Sequence, residues 1–409
     1  MSQSQTALNP KVIEIVKATA PILEERGAEI TTHFYKRMFK NNPELLNVFN
    51  QTNQKKGRQP EALANTVLAA AKNIDQLETL LPVVKQIAHK HRSLQIKPEQ
   101  YPIVGENLLG AMKEVLGEGA TDEVIDAWAE AYGIIADVFI SVEAEMYEEA
   151  QSQSGGWDGF RAFSVVKKVK ESDVITSFYM KPVDGGSLPS FEPGQYITVK
   201  AGIPGEEYVH LRQYSLSDAP GKDYFRISVK REDGPDDLPD GKVSTYLHDV
   251  VEEGEVLELT APAGDFYLEQ SGRPVVLISG GVGLTPLMSM FHTLVDHGQP
   301  VTFIQAAQSR NLHAFHDHTS QVADQNDNVS YYVCYDQWGE ADAEDTYVQK
   351  EGRIEKEWLA SLLPEEEADY YFCGPIPFLK AMNNMLIKEV GIPEERVHFE
   401  FFGPAADLN

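Results

Sequence analysis

The sequence predicts a multidomain protein in three parts: an all-α domain over residues 1–150, an antiparallel β-barrel over 151–266, and an α/β domain with a parallel sheet over 267–409. Three observations carry that expectation. Apolar residues recur every three or four positions as far as Tyr147, and from Phe160 the apolar period shortens to two. Beyond residue 266 apolar strands alternate with helical stretches, the pattern of parallel α/β sheets. The third is length: at roughly 100–200 residues per domain, a chain of 409 residues has room for two or three.

The helical period marks Val12–Ile22, Ile30–Phe39, Leu63–Leu81, Val83–His91, Val104–Leu116 and Val124–Tyr147, with prolines at breaks such as Pro43, Pro60, Pro82 and Pro98. "QSQSGGWDG" (Gln151–Gly159) is small, polar and glycine-rich, a linker composition. The short runs "FSVVKKVK", "VITSFYMK", "YITVKA", "YFRISVK" and "VLELTAP" follow, separated by Gly, Pro and Asp clusters, and read as the strands of the barrel. "PVVLISGG" then opens the last part, with a helix over Pro286–His297. "VTFIQAAQ", a further helical stretch, "NVSYYVCY", "DYYFCGP", a helix over Phe378–Val390 and "VHFEFFGP" complete it. There is no internal repeat.

Hydrophobic residues make up 42% and charged residues 24%, enough for each part to bury a core. The formal charge of −28 argues against nucleic acid or an anionic membrane as partner, since both demand a basic face. It also means that any anionic ligand must be held by local donors. No apolar run reaches membrane-span length, and MSQSQTALNP lacks the layout of a signal peptide, so a cytoplasmic protein is expected. Cys334 and Cys373 form no CxxC pair, which fits a reducing compartment. Small-molecule partners are expected, with a monomer as the default.

"QIAHKHRSLQI" holds two histidines. At about 100° per residue, Val84, Ile87, Ala88 and His91 share an apolar stripe, while Lys85, His89 and Arg92 share the opposite charged side. His89 and His91 lie about 200° apart and cannot bind one metal from one helix. His91 is the inward one. A lone inward histidine is more often a satisfied core residue than a ligand, and helix geometry by itself leaves both readings open.

"HFYKRMF", "NPELLNVFNQTNQ", "IAHKHRSLQIKPEQYPIVGENLL" and "DAWAEAYGIIADVFISVEAEMY" resemble a globin, and more narrowly a bacterial flavohaemoglobin. The resemblance implies His91 as the haem-iron ligand, with Tyr101 and Glu143 orienting its imidazole. It places Tyr35 and Gln59 over the bound gas and Leu63 as an apolar guard. Read without it, Glu143 in "VEAEMYEEA" belongs to a solvated face. Pro60 biases Gln59 towards extended backbone.

"LRQYSLS" resembles the flavin site of ferredoxin-reductase-type barrels, through Arg212, Gln213, Tyr214 and Ser215, with Tyr196 of "PGQY" as a further contact. A guanidinium can grip a phosphate oxygen, an aromatic ring can lie along the flavin, and a hydroxyl can reach its N5. In "GKVSTYLHDV", Gly241, Lys242, Val243, Ser244 and Thr245 open a helix whose free N–H groups suit a pyrophosphate, with simple N-capping as the plainer reading of Ser244 and Thr245.

In "VVLISGGVGLTPLMSM", Gly280, Gly281, Val282, Gly283, Leu284, Thr285 and Pro286 pass from strand to helix as a nucleotide-binding turn does. It is not a GxGxxG fingerprint, because Pro286 takes the third glycine position. That variant, and Cys373, Gly374 and Pro375 after another strand, resemble the same reductase family. So do Glu400, Phe401, Phe402, Gly403 and Pro404, where the resemblance puts Phe402 over the flavin and Glu400 near the flavin–haem junction. Read alone, Cys373 is a buried structural thiol and Phe402 a core residue. Ser309 and Arg310 follow "VTFIQAAQ" where a ribose 2′-phosphate could sit, which leans towards NADPH over NADH.

The resemblance implies haem b, FAD and NADPH or NADH as cofactors, and nitric oxide dioxygenase as the activity: NO oxidised with O2 to nitrate at a haem reduced through FAD. Reduction of other acceptors (NO to nitrous oxide, hydroperoxides, ferric iron) and an oxygen-binding or sensing role are the alternatives.

Overall fold

The computed structural model describes residues 8–49, 57–234 and 239–403. The chain forms two compact units, residues 1–151 with 204–211, and residues 152–203 with 212–409.

The first unit is helical: α1 (Pro10–Ala18), α2 (Ala20–Asn41), α3 (Arg58–Lys72), α4 (Leu81–Ser93), α5 (Gln100–Leu116) and α6 (Asp122–Ser152). The apolar stripes meet in a core that includes Val16, Phe34, Met38, Met112 and Trp128. Burying each such side chain contributes about 1.5–3 kcal/mol. The Trp128 indole donates to Thr19 Oγ1 at 3.2 Å, and that hydroxyl donates to the Val16 carbonyl at 2.6 Å, so the polar edge of the core is paired.

Three sequence expectations need correction here. The helix expected over Leu63–Leu81 stops at Lys72. There Asn73 turns its Nδ2 back onto the Ala69 carbonyl at 2.9 Å, and Leu77–Leu80 forms a separate 3₁₀ turn. Pro60 does not keep Gln59 extended. Both lie in the first turn of α3, where proline's missing N–H leaves no bond broken, so Gln59 is helical. Arg92 is not on an outward face but 5% exposed. Gln95 reverses the chain after α4 with φ +62°, and Tyr147 of α6 donates to the Ile96 carbonyl at 2.7 Å, so α6 covers that end.

The second unit holds two sheets. The first comprises β1 (Arg161–Lys170), β2 (Ile175–Pro182), β3 (Tyr196–Ala201), β4 (His210–Ser215), β5 (Phe225–Lys230) and β6 (Val256–Leu259), in the order β4-β3-β6-β1-β2-β5. A bridge between Leu216 and Ile227 joins its two edges, with Ser217 N–H donating to the Arg226 carbonyl at 2.9 Å, which closes the barrel. A register shift between Val165 and Lys167 in β1 leaves Val166 turned out to solvent. The helix α7 (Lys242–Asp249) packs Val243 and Leu247 into the barrel core.

The second sheet is parallel, with the order β10-β9-β8-β7-β11-β12 for β7 (Val275–Gly280), β8 (Val301–Ala307), β9 (Val329–Tyr335), β10 (Val348–Glu351), β11 (Asp369–Cys373) and β12 (Val397–Glu400). Helices α8 (Leu284–Asp296), α9 (His316–Gln325), α10 (Lys356–Leu362) and α11 (Ile376–Asn383) connect the strands. β7 and β11 are buried throughout, as central parallel strands are when helices cover both faces. The strand order reverses between β7 and β11, and ligands bind such sheets in the crevice at that switch point. The four-residue strand β10 has no signal in the sequence. The helix expected over Phe378–Val390 instead starts at Ile376 and passes into π-helical turns over Asn384–Val390.

Among the described residues, no helix is long and apolar enough to cross a membrane. A buried polar cluster lies under the second sheet. His313 accepts from the Tyr335 hydroxyl at Nδ1, 2.9 Å, and its Nε2–H meets Gln305 Oε1, the bonding of a neutral imidazole. Burial pushes its pKa down from 6.5 to about 3. The unfolded chain therefore binds the extra proton between those values, and stability is complete above pH 6.5 and falls as the pH drops towards 3. Moving from pH 6.5 to 4.5 is expected to cost about 2 kcal/mol. Urea unfolding followed through the pH range checks this, and His313→Asn removes most of the slope.

Candidate functional site

α4, α5 and α6 bring His91, Tyr101 and Glu143 together, although α6 supplies its residue from far along the chain. His91 Nδ1 lies 2.7 Å from Glu143 Oε1 and 3.2 Å from the Tyr101 hydroxyl, and that hydroxyl donates to the same carboxylate oxygen at 2.5 Å. Glu143 is buried, its side chain 3% exposed, while His91 is 32% exposed. The carboxylate is thus the inner member of the set, and the solvated-face reading of Glu143 is wrong. Tyr101 stays a neutral donor, its pKa pushed far up by burial and by the adjoining carboxylate.

Because Glu143 accepts the proton of Nδ1, the His91 tautomer is set, and the lone pair is left on Nε2, which has no hydrogen bond among the described residues. A histidine held in this way is built to ligate a metal, and a carboxylate behind it raises its basicity. Ile87 and Val84 of the same helix line an apolar cavity with Thr66, Ala69, Ala70 and Phe139. These residues fit a haem: one oriented imidazole and apolar walls. Replacing Glu143 with Gln is expected to lower haem affinity about 10–100-fold and weaken the iron–histidine bond. Haem-transfer kinetics and the iron–histidine stretching frequency measure the two effects.

Tyr35 of α2 is buried, its ring 4.7 Å from Phe34, 5.9 Å from Phe39 and 5.8 Å from Phe49. Leu63 packs against the same cluster, and Gln59 lies half-buried one turn earlier on α3. His89, the bystander in the sequence, is half-buried.

In the barrel, Arg212 and Tyr214 alternate onto one face of β4, whereas Gln213 is exposed and Ser215 buried. Burial raises the Tyr214 phenol and lowers Arg212 from their ordinary pKa values. Tyr196 starts the neighbouring β3, its N–H donating to the Ala263 carbonyl at 2.8 Å. Gly241 precedes α7 and has no room for a side chain: a Cβ there would lie 2.7 Å from Ser244 Oγ. Ser244 and Thr245 do not cap the helix. Their hydroxyls donate back to the Gly241 carbonyl at 2.9 and 3.0 Å. An arginine, a buried aromatic ring and a tight glycine turn into a helix suit a flavin with its pyrophosphate.

In the parallel sheet, Gly281–Gly283 forms a 3₁₀ turn that runs from β7 directly into α8, where Leu284, Thr285 and Pro286 are all buried. Gly281 has φ +54°, which glycine adopts without strain. Gly283 faces β11 so closely that a Cβ would lie 2.1 Å from the Cys373 carbonyl oxygen. Val282 is half-buried beside it, and its carbonyl accepts from Thr285 Oγ1 at 3.1 Å. Cys373, Gly374 and Pro375 therefore share the switch-point crevice with the glycine turn. The sequence reading missed Phe378, whose ring packs against both Gly280 and Gly374; its only signal is the aromatic four positions after Gly374.

Cys373 is fully buried, its pKa raised by burial, and its Sγ donates to the Glu400 carbonyl at 3.6 Å. Glu400 is buried, and Oε1 accepts the Phe401 N–H at 2.9 Å. Phe401 packs on the core beside Phe399. Phe402 is 48% exposed, so it is not a core residue, and Gly403 follows with φ +133°. Pro404 lies outside the described residues.

The chain matches three family models: Globin over residues 32–139, Oxidoreductase FAD-binding domain over 162–267 and Oxidoreductase NAD-binding domain over 277–384. It is 60% identical over 408 residues to the flavohemoprotein of Halalkalibacterium halodurans, covering 99% of each chain. With the flavohemoprotein of Bacillus subtilis it shares 50% over 405 residues, 98% of this chain and 99% of that one. Among solved structures, the flavohemoglobin from Malassezia yamatoensis, with bound FAD and heme, superposes with a TM-score of 0.83 at 26% identity, covering 97% of this chain and all of that one. The FAD/NAD binding domain of a nitric oxide dioxygenase from Vibrio cholerae gives a TM-score of 0.55 at 40% identity, covering 60% of this chain and 99% of that one. The chain belongs to the flavohaemoprotein family, as an NAD(P)H-dependent oxidoreductase with haem and FAD as its cofactors.

Proposed function

We propose that this chain is a nitric oxide dioxygenase, using NAD(P)H to convert NO and O2 to nitrate. The observation that carries the reading is the His91–Glu143–Tyr101 set, in one polypeptide with flavin- and nicotinamide-binding folds. The relative from Vibrio cholerae named for that activity supports it. When bound, haem supplies the oxygen chemistry, and FAD divides a two-electron donor into single-electron steps.

The chain's own residues do the rest. Glu143 holds the proton on His91 Nδ1 and so would leave Nε2 to ligate a haem iron. Tyr101 braces the carboxylate. Tyr35 would bring its phenol to the bound gas from among the rings of Phe34, Phe39 and Phe49, where a hydrogen bond to a partly anionic ligand is strong. Gln59 and Leu63, on α3, would border the bound gas. Tyr196, Arg212, Gln213, Tyr214, Ser215 and the Gly241–Ser244 turn hold the flavin. The Gly281–Pro286 turn with Cys373–Pro375 would hold the nicotinamide nucleotide, and Glu400–Gly403 would border the flavin. We assign 1–150, 151–266 and 267–409 as the three domains of a monomeric cytoplasmic enzyme.

The test is product. With NO, O2 and limiting NAD(P)H, one nitrate is expected per NO consumed and two per NAD(P)H oxidised. Nucleotide oxidation with nitrous oxide as product, or without nitrate, would overturn the reading.

A further inference from the structure

In doubly wound nucleotide folds the adenosine ribose reaches the end of the strand next to the glycine turn, about twenty residues further on. An acid there takes the free 2′-hydroxyl, and an arginine takes a 2′-phosphate. In this chain that strand is β8, which ends at Ala307 and is followed by Ser309 and Arg310. Read along the sequence, Arg310 is a phosphate receptor.

The structure gives Arg310 a different employment. Nε donates to Asp342 Oδ1 at 2.7 Å and Nη2 to Asp345 Oδ2 at 2.6 Å. Both carboxylates are largely buried, 5% and 17% exposed. Each is also fixed from behind. Asp342 Oδ2 accepts the Gly339 N–H at 2.7 Å, and Asp345 Oδ1 accepts the Tyr347 N–H at 3.0 Å. Asp345 Oδ2 has a second partner in His316 Nε2, at 2.7 Å.

Two consequences follow from charge and burial. Recruiting Arg310 to a ligand would leave two buried carboxylates without their guanidinium, which is costly. A 2′-phosphate would also approach two acids set against one guanidinium, in a chain whose formal charge is −28. A free 2′-hydroxyl meets neither obstacle. We propose that Asp342 and Asp345, by holding Arg310, make this chain discriminate against the 2′-phosphate and prefer NADH over NADPH. They act through Arg310 and are positioning residues. The lean towards NADPH from Ser309 and Arg310 in the sequence is thereby reversed.

The test uses full-length protein loaded with haem and FAD, and reads NADH- and NADPH-dependent ferricyanide reduction. That assay needs the nucleotide and flavin sites but no NO chemistry, so its result is separable from the dioxygenase reading. The wild type is expected to favour NADH at least tenfold in kcat/KM. The double variant Asp342→Asn/Asp345→Asn is expected to raise the NADPH-to-NADH ratio of kcat/KM at least tenfold, and adding Arg310→Ala should erase the gain. A smaller wild-type preference, or a ratio that moves less than tenfold, overturns the proposal. Should the double variant fail to fold, competition on the wild type decides. There 2′,5′-ADP is expected to inhibit at least tenfold more weakly than 5′-AMP, and any smaller difference overturns it.

Discussion

His91→Ala is expected to cost this protein more than about 100-fold in NO consumption, because removing a metal ligand exceeds the 10–100-fold typical of its supporting partners. The same variant should keep its NAD(P)H–ferricyanide activity, since the residues proposed to hold flavin and nicotinamide lie on other strands and helices. The reason for the size of the loss is the geometry at Nδ1. Glu143 and Tyr101 are buried around that atom, so removing the ring takes away the proposed iron ligand and leaves a buried carboxylate with one partner fewer. Added imidazole, which can occupy the space left by the side chain, should restore part of the haem absorbance and part of the turnover. Undiminished haem binding and NO turnover in the alanine variant would remove His91 from the role assigned to it.

Gly283→Ala is the second large effect. At this position the new Cβ would meet the backbone of β11: the Cys373 carbonyl oxygen at 2.1 Å, its carbon at 2.3 Å and the Gly374 nitrogen at 2.5 Å. β7 and β11 pair directly, Ser279 opposite Cys373, so neither strand can retreat without breaking the sheet at its switch point. Overpacking of a buried site costs about 1–3 kcal/mol even where side chains adjust. At a backbone contact the expected loss is at the top of that range or above it. NAD(P)H-dependent flavin reduction should fall at least 100-fold, while dithionite still reduces the haem and carbon monoxide still binds it. Stopped-flow flavin absorbance and a carbon monoxide difference spectrum separate the two. Near-normal hydride transfer would mean that α8 and β11 can part.

Much of this protein was legible along the chain. Helix and strand periods reflect which face of each element is buried, and that information sits within a few residues of itself, as in the stripe Val84, Ala88 of α4 or the continuous apolar run of β7. The glycine turn was legible for the same local reason. Where the reading failed, a distant segment had intervened. Arg92 reads as solvated along α4, but α6 covers the end of that helix and buries it. Pro60 looked like a reason for extended backbone at Gln59, but α3 had already begun.

By itself, then, the sequence determined the three-part architecture, the inward direction of His91 and the glycine turn before α8. Only the tertiary structure decided which charges are partners. Glu143 stands in an acidic run that reads as solvated, and becomes the buried acceptor for His91 because α6 returns alongside α4. Asp342 and Asp345 stand in a loop of the same acidic character, and become the clamp on Arg310. A carboxylate's burial and its counter-charge depend on segments tens of residues away, and no local period records where those segments come to rest.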